Sequence, residues 1–99
     1  MVRWTRRAHT DLKALHDHIA KDSRQNAKTV VREILRRADE IEATPFLGRK
    51  VPELEDEHVR EIPVYSWRIL YHLRASEVFI VTLVHKRRHV QPEQMRPER

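Results

Sequence analysis

The sequence predicts an α+β domain: a helical hairpin packed on a small antiparallel sheet of three to four strands, in the order β-α-α-β-β-β. Three observations carry this. Arg60 to His89 contains two apolar, β-favouring runs joined by a short polar turn. Upstream, two stretches repeat apolar residues at the helical period, separated only by a brief break at Lys21-Asp22-Ser23. The chain has 99 residues, the length of one domain around one core.

Val2-Arg3-Trp4 alternates apolar and polar residues, as an opening edge strand does, and Thr5 is placed to cap the helix that follows. In that helix Ala8, Leu12, Leu15 and Ile19 trace one face. Asp22 followed by Gln25 reads as a capping box opening the second helix. There Ala27, Val30, Val31, Ile34, Leu35, Ala38 and Ile41 recur at the helical period, and Arg32, Arg36 and Asp39 share the solvated side. Thr44-Pro45 ends it, because the residue before proline is pushed out of the helical region. Two helices with so short a joint form an αα-hairpin whose apolar faces meet each other and a sheet.

Pro45 to Pro52 is the main irregular segment, with Phe46 and Leu47 expected as plugs into the core. Gly48, the one glycine of the chain, is free to take a positive φ. Glu53 to Glu57 reads as acidic and exposed. Val59 to Val64 resumes strand character, and Pro63 demotes it to an edge or a bulged strand. Trp67, Ile69, Tyr71 and Leu73 alternate along the next strand. Val78 to Val84 is apolar on both faces except for Thr82, which places it centrally or under cover on both sides. Arg74-Ala75-Ser76-Glu77 serves as the hairpin loop although it lacks the Asn-Gly pair of a tight turn. The domain is expected over residues 1–89. The tail 90–99, with Pro92 and Pro97 and little apolar content, is expected to be flexible.

Composition narrows the function. There is no cysteine, which removes disulfide and thiol chemistry and fits a reducing cytoplasm. A single glycine argues against a glycine-rich phosphate loop. No segment reads as a membrane span or signal peptide. A net charge of +5 with neutral histidines favours an acidic partner. Seven histidines invite a metal reading, but His16 and His18 cannot share a helix face; no metal and no cofactor is expected.

Along almost its whole length the chain resembles the ParE/RelE superfamily of bacterial type II toxins. The opening matches A-x-x-DL-x-x-I-x-x-x-IA through Ala8, Asp11, Leu12, Ile19 and Ala20. The middle matches P-x-x-GR-x-V-x-EL through Pro45, Gly48, Arg49, Val51, Glu53 and Leu54. The end matches through Arg60, Glu61, Trp67, Arg68, Ile69, Tyr71, Val81, Val84, His85, Arg87 and Arg88.

The resemblance implies a toxin neutralised by a cognate antitoxin. That partner would be of ribbon-helix-helix or similar type, with a C-terminal segment wrapping the toxin. Two activities occur among such proteins. RelE-like members cut ribosome-bound mRNA, and on that reading Arg68, His85 and Arg87 are the catalytic candidates. ParE-like members bind DNA gyrase and are not known as catalysts. The RelE-type tyrosine after the last strand is missing here, because Tyr65 and Tyr71 both precede it. The H-x-RR ending is the ParE-like form. The favoured expectation is gyrase inhibition without turnover. Target contacts are expected at Arg68, His85, Lys86, Arg87, Arg88 and His89, and antitoxin contacts at Arg60, Trp67, Arg68 and Arg87. Arg68 has a plainer alternative, a structural ion pair with a carboxylate such as Glu61. Trp4 and Trp67 read as core or groove-wall residues.

Overall fold

The computed structural model describes residues 2–95. Its elements are β1 (Val2–Trp4), α1 (Arg6–Ala20), α2 (Arg24–Ala43), β2 (Arg49–Lys50), β3 (Val59–Val64), β4 (Trp67–Arg74), β5 (Glu77–His85) and a short 3₁₀ helix (Pro92–Met95). The expected α+β class and element order hold. The sheet, however, has five strands in the order β1-β5-β4-β3-β2, and it is mixed: β1 runs parallel to β5 and the other pairs are antiparallel. The added strand β2 is two exposed basic residues paired to Arg60 and Glu61. So short and charged an edge offers little to a foreign strand.

β5 explains the layering. Val78, Ile80 and Leu83 face the helices and share a core with Ala8, Leu15, Ile34, Ala38, Ile41, Ile62, Ile69 and Tyr71. Val81 and Val84 face the other way, into a second core with Val51, Leu54, Val59, Leu70, Val90 and Met95. Both faces of the strand are therefore covered, as its apolar run demands. The alternation changes phase at Thr82, where two residues, Val81 and Thr82, stand against Leu70 in a bulge.

Helix α1 closes the β5 edge that the short β1 leaves bare. Thr5 caps the helix by accepting from the Ala8 N–H, and its hydroxyl donates to the Val81 carbonyl at 2.9 Å. Asp11 accepts from the Thr82 hydroxyl and from the Leu83 N–H at 3.2 Å. Thr5 and Asp11 thus pair backbone groups at the bulge that would otherwise be orphaned.

Several local expectations are corrected. Ser23, not Asp22, caps α2, accepting from the Asn26 N–H at 3.1 Å. The Asp22 N–H still bonds Ile19 at the end of α1, so Asp22 belongs to the outgoing turn. Leu35 is exposed, because only one stripe of α2 meets the sheet. Phe46 and Leu47 do not plug the core: they are 61% and 42% exposed. The segment is pinned instead by Tyr71, whose hydroxyl donates to the Pro45 carbonyl at 2.7 Å and accepts from the Gly48 N–H at 2.8 Å. β3 is internal where β2 pairs with it, and Pro63 falls beyond that pairing, where β3 has an open edge and needs no N–H. The segment expected to be a flexible tail is placed against the sheet for its first six residues, with Val90 and Met95 buried in the second core. The remainder of that expectation lies outside the described residues.

Gly48 serves closeness rather than a positive φ. A Cβ there would stand 2.6 Å from the Glu61 carbonyl oxygen and 2.8 Å from the Tyr71 hydroxyl, both fixed in the fold. Gly48→Ala is expected to cost about 2–3 kcal/mol by overpacking, read as a lower urea midpoint. The positive φ values fall elsewhere. Ala75 (φ 50°) and Ser76 (φ 65°) form a two-residue hairpin turn that favours Asn-Gly. Replacing them with that pair relieves left-handed strain and should raise stability by about 1 kcal/mol in the same measurement.

Candidate interaction surface at the basic end of the sheet

The β3–β4 turn and the exit of β5 lie at the same end of the sheet, where Trp67 pairs with Val64 and His85. Neighbouring residues on β4 point to opposite faces, so Arg68 and Trp67 face away from each other.

Arg68 faces the second core and is 6% exposed. Its Nη1 donates to Glu61 Oε1 at 2.5 Å and to Glu53 Oε1 at 3.1 Å. Its Nη2 donates to Glu53 Oε2 and, at 2.5 Å, to the Arg88 carbonyl. Glu61, almost wholly buried, also accepts from Arg49 Nε at 2.7 Å. Glu53 accepts in addition from the Val90 N–H at 3.0 Å. Two guanidiniums and two carboxylates balance, so this knot adds no net charge to the second core. The Arg68 hydrogen bonds hold the Glu53 carboxyl down to about 2, against the opposing pull of burial. The same partners raise Arg68. The structure therefore places Arg68 in the ion pair with Glu61, and adds a second carboxylate. A signal for Glu53 existed: it lies between Val51 and Leu54, both buried, unlike the run Glu55-Asp56-Glu57.

The basic cluster is divided by the sheet. Lys86 joins Arg49, Glu61, Pro63 and Arg68 around a pocket of about 220 Å³. His85 and Arg88 instead line a cleft of the same size with Asp11, His18 and Trp67, on the helix side. Trp67 is a groove wall there: its ring meets His85 edge-on at 5.6 Å and His18 at 6.4 Å. Lys86, Arg87 and His89 are exposed. Arg60 stands near the far end of β3, bonded to the Glu57 and Gly48 carbonyls.

The RelE-type trio is thus not brought together: Arg68 lies on one face with its Nη groups committed, and His85 turns toward Trp67 on the other. A nuclease needs its phosphate-holding cation and its proton-transfer group around one point. Among the described residues no group of three or more His, Asp or Glu could hold a metal ion. His85 and His89, four apart, stand on a strand end and a loop rather than on one helix face.

Comparison with known proteins decides the family. The model of the ParE toxin of the type II toxin–antitoxin system parDE matches residues 2–90. The chain belongs to the ParE toxin family. Among solved structures, this ParE-family chain is similar to a chain of the chromosomal ParDE toxin–antitoxin system from P. aeruginosa. The match has 22% identity and a TM-score of 0.70, covering 85% of this chain and 92% of that one. It is also similar to a chain of the toxin–antitoxin complex RelBE2 from Mycobacterium tuberculosis. There the identity is 19% and the TM-score 0.61, covering 87% of this chain and 96% of that one. No curated protein matches. At these identities the solved structures speak for the fold, the helical hairpin on a mixed sheet described above.

The Glu53 knot makes an acid-stability prediction. Its folded pKa lies below the ordinary 4.5, so its contribution is fully present above about pH 4.5 and is lost as the pH falls toward 2. Glu53→Gln should remove on the order of 3 kcal/mol at neutral pH. It should also flatten the fall of melting temperature across that acid window, as followed by circular dichroism.

Proposed function

We propose that this chain is a toxin that inhibits DNA gyrase in the cytoplasm without turnover, and that a cognate antitoxin neutralises it. What carries the reading is the contrast between two sets of cations. Arg68 is consumed by Glu53, Glu61 and Arg88 and cannot offer its Nη groups to a phosphate. Lys86 and Arg87 stand exposed, and among the described residues their side chains make no ion pair. Free cations at a strand exit suit a surface that binds an acidic partner, whereas a committed arginine facing away from His85 does not suit phosphodiester cleavage. Lys86, Arg87 and Arg88, flanked by His85 and His89, are the proposed target contacts. Arg68 is a support beneath them, and its earlier expected contacts with target and antitoxin pass to these exposed neighbours. Trp67 and Arg87 remain proposed antitoxin contacts. Family membership and the two toxin–antitoxin systems among its structural neighbours support an antitoxin partner.

The test sets two assays side by side on the purified chain: gyrase supercoiling with cleavage of plasmid DNA, and translation in vitro with primer extension on the mRNA. Inhibited supercoiling with normal translation is expected. Codon-phased mRNA cuts with unaffected gyrase would overturn the reading in favour of an mRNA endonuclease, returning Arg68, His85 and Arg87 to catalytic roles. The double variant Lys86→Ala, Arg87→Ala should lose inhibition while its stability stays within about 0.5 kcal/mol, because neither side chain is packed.

A further inference from the structure

At the opposite end of the sheet, the segment after α2 and the tip of the β4–β5 hairpin enclose a cleft of about 410 Å³. We infer that this cleft docks a partner segment presenting one large apolar side chain flanked by carboxylates.

Its apolar lining is Pro45, Phe46, Leu73 and Val78, and His58, Arg74, Ser76 and Glu77 supply the polar part. The volume matches that of pockets which take a large side chain or a small ligand. Phe46 lies outside the core, largely exposed. The Arg60 guanidinium lies 4.9 Å over its ring, and Arg60 is itself anchored to two backbone carbonyls. An exposed aromatic ring that lines a cleft and stacks against a guanidinium is the kind of anchor that interfaces concentrate their energy on.

The charges select the occupant. Glu77 at the hairpin is paired with Arg3 at 2.7 Å, and His58 stands 3.5 Å from Asp56. Arg60 is bonded to carbonyls, which do not neutralise it, and Arg74 makes no ion pair among the described residues. The cleft therefore offers an apolar hole with one uncompensated guanidinium, Arg74, in its lining and a second, Arg60, over the Phe46 ring, matched by an apolar residue with acidic neighbours. The hairpin tip that shapes it keeps Ala75 and Ser76 at positive φ, the kind of local strain that clusters at binding sites.

This assignment rests on the reading of the partner as an antitoxin. The test uses the purified antitoxin that neutralises the chain on co-expression, titrated calorimetrically against Phe46→Ala and Arg74→Glu, with amide hydrogen exchange of the complex. Each variant should bind at least about tenfold more weakly at unchanged melting temperature. Arg74→Lys should retain most of the affinity, and exchange across residues 73–78 should slow in the complex. Unchanged affinity in both variants, with no slowing at the hairpin tip, would overturn the cleft assignment and leave the antitoxin reading standing. A chain that no antitoxin neutralises would bring down both. A dimer of the free chain that Phe46→Ala dissociates would assign the cleft to a second copy and overturn the proposal.

Discussion

The Arg68 guanidinium is the joint on which the outer half of this molecule depends. It ties four pieces of chain together: β4, which carries it; Glu61 on β3; Glu53 on the loop after β2; and the Arg88 carbonyl on the exit from β5. A buried ion pair is weak evidence of stabilisation, since desolvation opposes the attraction. Its geometry counts for more. A carboxylate that bonds both Arg68 and the Val90 N–H carries the chain onto the outer face, where Val51, Leu54, Val90 and Met95 complete the second core. Without that anchoring, Val81 and Val84 would face water on a strand that is apolar on both sides.

The same joint separates structure from binding. The carboxylates of Glu53 and Glu61 are taken up beneath the surface by Arg68 and Arg49, and the cations above them stay free. Arg49 spends its Nε on Glu61, and Arg68 spends both Nη groups. Lys86 and Arg87 spend nothing within the described residues. Cations of similar sequence appearance thus differ completely in what they can offer a partner. The difference lies in burial and in reach of a carboxylate: Arg68 is buried against Glu53 and Glu61, whereas Lys86 and Arg87 stand exposed.

The α+β class and the order of the elements were legible because they follow from local periodicity. Ala8, Leu15, Ile34 and Ile41 announce two helices, and Ile69, Tyr71 and Val78 to Val84 announce two strands. The ion pair of Arg68 with Glu61 was also within reach, since a buried-face arginine needs a carboxylate. What escaped was non-local or too short to have a pattern. β2 is two basic residues that become a strand only because Arg60 and Glu61 lie alongside. The parallel course of β1 depends on a partner at the other end of the chain. Val90 and Met95 are isolated apolar residues among prolines and charges, and only the vacant face of β5 gives them a place. Phe46 fails as a plug because Tyr71 already ties down its loop, and Arg60 offers the ring a resting place outside.

The pairing of β1 with β5 has a consequence for how this protein comes into being. Val2, Arg3 and Trp4 are made well before their partners Val78, Phe79 and Ile80, with both helices and three other strands between them in the chain. Thr5 and Asp11, too, wait for Val81, Thr82 and Leu83. Until β5 is free, the helical hairpin has no central strand to cover. Closing so long a loop is slow compared with forming local contacts. Until β5 is made, the nascent polypeptide has no completed sheet. The folded domain first exists only once β5 has been made, so whatever needs the completed sheet, activity or partner binding alike, waits on that strand.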